Sequence, residues 1–237
     1  MKKLLAIFIL GLSSFGISGI ACADDGVFAI NDVCDNFGCF PGDSGGLPIT
    51  ITISGSYQLT SNITSSSTTN NVIEISADNV TLDLNGFAII GPRTCTGDNT
   101  TLVCTNGGMT ANGISASGRK NLVVKNGSVK GFDTAVAFTS LSSRGNVVEN
   151  MYVSENEFGL FVVGGMISSS TAIRNLDSGF SNGIIGHLFI KDSYARGNKS
   201  NSAIAVTCSN VYFVGNGNDG CGRYTNESTC GNGTACP

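Results

Sequence analysis

Residues 78–91 read Asp-Asn-Val-Thr-Leu-Asp-Leu-Asn-Gly-Phe-Ala-Ile-Ile-Gly. Val80, Leu82 and Leu84 alternate with Thr81 and Asp83, which is the period of a strand with one buried face. Asn85-Gly86 is a turn pair; Phe87, Ile89 and Ile90 then restart the apolar run, and Gly91-Pro92 ends it. A single strand–turn–strand unit of this size cannot bury its own apolar side chains. Weaker copies of the unit return along the chain, and that recurrence limits the folds available.

The copies align on the residue that opens each one: Asn71-Val72-Ile73, Asn112-Gly113-Ile114, Asp133-Thr134-Ala135, Phe158-Gly159-Leu160, Asn182-Gly183-Ile184 and Asn201-Ser202-Ala203. A second marker, aliphatic–any–Asn or Asp, appears as Val124-Lys125-Asn126, Val148-Glu149-Asn150, Ile173-Arg174-Asn175, Ile190-Lys191-Asp192 and Val214-Gly215-Asn216. The period lies in the low twenties once residues 92–111 are set aside as a loop insertion. Such a period with short strands and no helical pattern predicts an all-β solenoid of about seven turns. Stacking at ~4.8 Å per turn would bury Val80, Leu82, Val124, Val148, Ile173, Ile190 and Val214 in one interior. The Asn and Asp residues would stack at a bend, where side-chain amides bond the backbone and one another.

The ends differ from the middle. Met1-Lys2-Lys3, a short apolar run and Ala21-Cys22-Ala23 form a secretory signal peptide over residues 1–23, with cleavage near Ala23; a lipid-carrying Cys22 is the alternative. The apolar run is too short for a membrane span. Residues 24–48 read as an N-terminal cap, 49–217 as the repeat and 218–237 as a cysteine-rich C-terminal cap. The chain is secreted, periplasmic or at the cell surface on this reading. Removing Cys22 leaves eight cysteines, and spacing favours Cys34–Cys39, Cys95–Cys104, Cys208–Cys221 and Cys230–Cys236 as disulfides, though eight allow 105 pairings. Zinc is disfavoured by a single histidine and the lack of a Cys-x-x-Cys pair. The net charge of −4 argues against nucleic acid or an anionic membrane as partner.

The stretch from Asp78 to Phe87, with Ile89 and Gly91, resembles strings frequent in the right-handed parallel β-helix family, the pectate-lyase-like superfold. The resemblance covers roughly residues 49–217 and implies a single-stranded right-handed parallel β-helix with irregular, disulfide-tied ends. The family includes polysaccharide lyases, glycoside hydrolases, uronan epimerases and proteins without established chemistry, so the fold does not give the function.

In the repeat register one outward row holds Asp83, Lys125, Glu149, Arg174 and Lys191. A lyase on this fold needs a cationic base beside a uronate carboxylate and a cation or metal for the enolate. Lys125, Arg174 or Lys191 could be that base, and Asp83 and Glu149 could hold calcium. The competing reading is a ladder of alternating charge that stabilises the sheet. No cofactor is expected otherwise; Gly215-Asn216-Gly217-Asn218-Asp219-Gly220 resembles half of a calcium-binding nonapeptide, but in a single copy. His187, the only histidine, has no catalytic partners around it. Gly42-Asp43-Ser44-Gly45-Gly46 resembles the nucleophile string of chymotrypsin-like proteases, yet no histidine precedes Ser44, so it reads as a loop. Tyr152, Tyr194 and Tyr212 lie near strand markers and could stack on sugars if they share a face. Two functions follow as expectations: a non-catalytic glycan-binding or structural and adhesive module, or a lyase acting on uronate polysaccharides.

Overall fold

A computed structural model describes residues 26–97, 101–181, 188–199, 203–204, 206–217, 223–224, 229–230 and 234–235. The predicted signal peptide, His187 and most of the predicted C-terminal cap lie outside the described residues. Among the described residues the only helix is Cys34–Phe37, and the rest is β-structure, turns and loops.

Two large sheets dominate, one of seven strands and one of fourteen. The chain visits them alternately. It leaves the seven-stranded sheet at Asn112–Ser117, runs through Val123–Lys130 in the larger sheet, and returns as Thr134–Thr139 beside its starting strand. Ile114 is then in register with Val136, and both strands run the same way. The next circuit, through Asn146–Ser154 and Phe158–Val162, repeats this, with Val124 opposite Val148 and Val136 opposite Leu160. The seven-stranded sheet is parallel throughout, an arrangement compatible with a parallel β-helix or solenoid.

Each circuit supplies inward residues from both sheets. Ile73, Leu82, Ile114, Val124, Val136, Val148, Leu160, Ile167 and Ile190 are all fully buried in one continuous core. At ~1.5–3 kcal/mol for each fully buried aliphatic side chain, stacking provides the driving force that no single circuit has.

The long strands of the larger sheet bend where one residue turns left-handed: Asn126 (φ 60°), Asn150 (φ 51°), Asp192 (φ 50°) and Asn210 (φ 51°), with Ser169 (φ 48°) in the circuit between. Asn and Asp tolerate this region better than other side chains with a Cβ. In the circuit of residues 78–91 the bend is a two-residue turn. Asn85 (φ 51°) and Gly86 (φ 82°) both have positive φ, and the Phe87 amide donates to the Leu84 carbonyl at 2.8 Å, as in a type I′ turn.

A second asparagine row lies elsewhere. Asn156, Asn175 and Asn198 are fully buried and are followed by Asn216. Each side-chain amide donates to the next carbonyl oxygen: Asn156 to Asn175 at 3.1 Å, Asn175 to Asn198 at 2.9 Å and Asn198 to Asn216 at 2.8 Å. The backbone amides of Asn156, Asn175 and Asn198 donate to the same oxygens. This corrects the sequence register. The aliphatic–any–Asn marker merges two corners: Asn126, Asn150 and Asp192 belong to the bend, whereas Asn175 and Asn216 belong to the buried row. Ile173 and Val214 therefore face outward, in register through Arg196, and Val214 is 40% exposed.

At the N-terminal end a Cys34–Cys39 disulfide closes the helical turn. The Asp43 carboxylate accepts from the backbone amides of Cys39 (3.0 Å) and Thr50 (2.9 Å). Thr50 lies on Ile49–Ile51, the outermost strand of the smaller sheet, so Asp43 satisfies an edge donor that would otherwise be open to another chain. The protease-like string is thus an edge cap. Phe28, Phe40 and Tyr57 pack on one another beneath it, with ring centres 5.0–5.8 Å apart.

Met109 and Ala111 pack in the core, whereas residues 92–97 and 101–108 leave the stack. Within them Cys95–Thr96 and Val103–Cys104 form a two-stranded antiparallel sheet joined by the Cys95–Cys104 disulfide. Cys208 is disulfide-bonded as well; the pairing with Cys221 and that of Cys230 with Cys236 fall on side chains outside the described residues. Disulfides of this kind belong to an oxidising environment. No helix among the described residues is long and apolar enough to cross a membrane.

Candidate functional site

Strand register fixes which outward side chains are neighbours. Before the bend, Asp83 is opposite Lys125, Lys125 opposite Glu149, Glu149 opposite Ser168, and Ser168 opposite Lys191. The Lys125 ammonium is 3.9 Å from the Asp83 carboxylate, a partly exposed pair. The rung between Glu149 and Lys191 is therefore a serine, not Arg174.

Arg174 stands at the corner where the larger sheet gives way to the smaller. Five residues there are left-handed: Gly131 (φ 84°), Glu155 (φ 59°), Arg174 (φ 55°), Gly197 (φ 62°) and Gly215 (φ 59°). The two that are not glycine hold the insertion. The Arg174 guanidinium donates to the Cys95 carbonyl at 2.9 Å and lies 3.8 Å from Glu155. Beside them Arg93, whose side chain is almost wholly buried, pairs with Glu157. Burial pushes the nearby Asp133 carboxyl above its usual range, and Glu157 adds to the effect, while the Thr134 hydroxyl and Arg93 oppose it. Arg174 is thus an anchor of the loop and is not brought together with Lys125 or Lys191.

After the bend the outward row is Ser128, Tyr152, Thr171, Tyr194 and Tyr212. Tyr152 is 46% and Tyr212 45% exposed, with Tyr194 between these extremes and full burial. Tyr194 and Tyr212 sit on adjacent strands, one step of ~4.8 Å apart, and Tyr152 is two steps from Tyr194 across Thr171. The next outward row along the strands holds Lys130, Ser154, Ile173, Arg196 and Val214. The three tyrosines thus share one face. Sequence reasoning missed Ser169 and Thr171 as members of this surface. A usable signal existed: each tyrosine lies two residues beyond a left-handed bend residue, Asn150, Asp192 or Asn210.

At the lower end of this row an open depression of ≈ 510 Å³ is lined by Gly86, Asn126, Gly127, Asn150, Met151, Tyr152, Ser169 and Thr171. Gly86, which has open space where a side chain would stand, helps to leave the room, and Tyr152 lines it; Gly127 faces the other way, against Leu84 and the Phe87 carbonyl. The floor is threaded by a side-chain hydrogen-bond chain. Asn150 Nδ2 donates to Asn126 Oδ1 at 2.9 Å, and Asn126 Nδ2 donates to the Asp83 carboxylate at 3.1 and 3.2 Å. Among the described residues no group of three His, Cys, Asp or Glu is gathered as a metal site.

The chain matches no protein-family model, no curated protein and no solved structure.

Proposed function

We propose that the chain is a right-handed parallel β-helix that acts as a secreted or cell-surface glycan-binding or adhesive module without catalysis of its own. The general preference for right-handed crossovers between parallel strands supports the handedness, and the seven strands of the smaller sheet support a count of about seven turns. The observation that carries the binding reading is the outward row Tyr152–Thr171–Tyr194–Tyr212. Regular stacking places aromatic faces along the axis at intervals, a surface on which an extended sugar chain can lie. Tyrosine supplies an apolar face and a polar rim at low entropic cost.

A lyase acting on uronate polymers is the competing reading, and it draws on the register neighbours Asp83, Lys125 and Glu149. Against it, Lys125 is paired with Asp83, and Arg174 is engaged by the loop.

Binding of the disulfide-intact mature chain to an oligosaccharide array tests the proposal, with Tyr152→Ala, Tyr194→Ala and Tyr212→Ala as variants. Each should weaken retention about threefold to tenfold, the loss of one aromatic contact. Unsaturated products released from a uronan, absent in Lys125→Ala, would instead establish the lyase.

A further inference from the structure

We infer that the depression beside Tyr152 takes neutral, hydroxyl-rich sugar units in preference to uronate or sulfated ones. The inference rests on the glycan-binding reading above and names the ligand class.

None of the eight lining residues carries a charge. The hydrogen-bond chain in the floor has a direction. It ends at the Asp83 carboxylate, so both amide nitrogens point inward along the row, and the free end of the chain is the Asn150 carbonyl oxygen. A carboxylate at the inner end polarises such a chain and strengthens each bond in it. The depression therefore presents an acceptor backed by a negative charge, with the Ser169, Thr171 and Tyr152 hydroxyls beside it. A sugar hydroxyl can donate to that oxygen. A sugar carboxylate or sulfate would meet it oxygen to oxygen.

The charges nearby border the depression without entering it. Asp83, Lys125, Glu149 and Lys191 lie before the bend, Asp192 is the bend residue on the rung after Ser169 and accepts from Asn210, and Lys130 and Arg196 lie in the row beyond the tyrosines. Of these, Lys125 is paired with Asp83. The combination of Tyr152 as a stacking wall, the open space at Gly86 and a neutral acceptor-bearing floor fits a ring edge-on to the bend, with the chain continuing along the axis over Thr171 toward Tyr194.

Titration calorimetry of the intact protein with neutral, uronic and sulfated oligosaccharides of matched length, at low and high salt, tests this. Expected are binding of a neutral oligosaccharide that salt does not weaken, and loss of about threefold to tenfold in Tyr152→Ala but not in Tyr152→Phe, which keeps the stacking face. Asn150→Gly, which removes the acceptor at the free end and keeps the left-handed bend, should weaken binding of that same ligand while thermal unfolding shows the fold retained. Lys130→Ala and Arg196→Ala should leave it unchanged. Uronic or sulfated ligands bound as tightly as neutral ones, or binding lost with salt and with Lys130→Ala, would overturn the inference and leave the glycan-binding reading standing. No binding by any of the three classes would overturn both.

Discussion

Asn175 and Asn198, both fully buried, are joined by two hydrogen bonds of 2.9 Å: the side-chain amide and the backbone amide of Asn175 both reach the Asn198 side-chain oxygen. Asn198 in turn donates to the Ala172 carbonyl at 3.2 Å and to Asn216 at 2.8 Å. The two side-chain oxygens accept from the backbone amides of Asn156 and Asn175, and the Asn198 side-chain amide reaches the Ala172 carbonyl, so the row satisfies backbone groups at this corner.

Truncating this row should be costly. Asn198→Ala strands the Asn175 donors and the Ala172 acceptor, and at ~1–3 kcal/mol per buried group left unpaired the loss should be about 2–5 kcal/mol. Asn150→Ala at the exposed bend strands nothing buried and should cost less than about 2 kcal/mol, mostly for placing alanine in the left-handed region. Urea unfolding of the two variants would show the difference as a shift in midpoint.

Arg174→Gly separates backbone conformation from loop anchoring. Glycine relieves a left-handed residue worth ~1–2 kcal/mol, while the contacts to Cys95 and Glu155 are lost. Global stability should stay within about 1 kcal/mol of the parent, whereas amide exchange across Cys95–Cys104 should accelerate. Unchanged exchange there would mean that Arg174 does not hold the loop.

Arg93→Met should destabilise by less than the ~3–5 kcal/mol of a wholly buried pair, because the Glu157 side chain retains 29% exposure. The Glu157→Gln variant, which leaves the guanidinium buried beside a neutral partner, should lose more than Arg93→Met. Thermal unfolding of the two variants orders them.

Asp133 gives a pH dependence with a definite sign. Burial raises its folded pKa above the unfolded value, so the folded state binds the proton more tightly. Its contribution to stability is fully present below the unfolded pKa and is lost as pH rises through the folded one. Asp133→Asn should therefore be at least as stable as the parent at neutral pH, and its stability should fall less as pH rises from the acid range. A variant less stable than the parent at pH 7 would show that Arg93 and the Thr134 hydroxyl outweigh burial.

The interior was legible where alternation was strict. Val80, Leu82 and Leu84 needed only the period of two to be placed inside, and all three are fully buried. Register across circuits was only half legible, because two corners both follow an aliphatic residue with an asparagine. Sequence cannot tell a solvent-facing left-handed Asn126 from a buried Asn175, since the difference lies in what stacks above and below. The same ambiguity put Arg174 in the row of Lys125. The insertion is a further case. Its cysteines announced a closed loop, but its seating depends on Arg93 reaching Glu157, 64 residues away in the chain, which no local pattern encodes. The shared face of the three tyrosines became visible only once the bend residues fixed where each outward row begins.

Because Tyr152, Thr171, Tyr194 and Tyr212 are held by consecutive rungs, the distances between them are quantised. No point substitution can move one tyrosine a fraction of a step nearer another. Only gain or loss of a whole circuit can, and deleting the circuit of residues 158–177 would bring Tyr152 directly beside Tyr194. The pitch of the protein would then act as a ruler for any repeating polymer laid along it, lengthened by duplicating a circuit and shortened by deleting one.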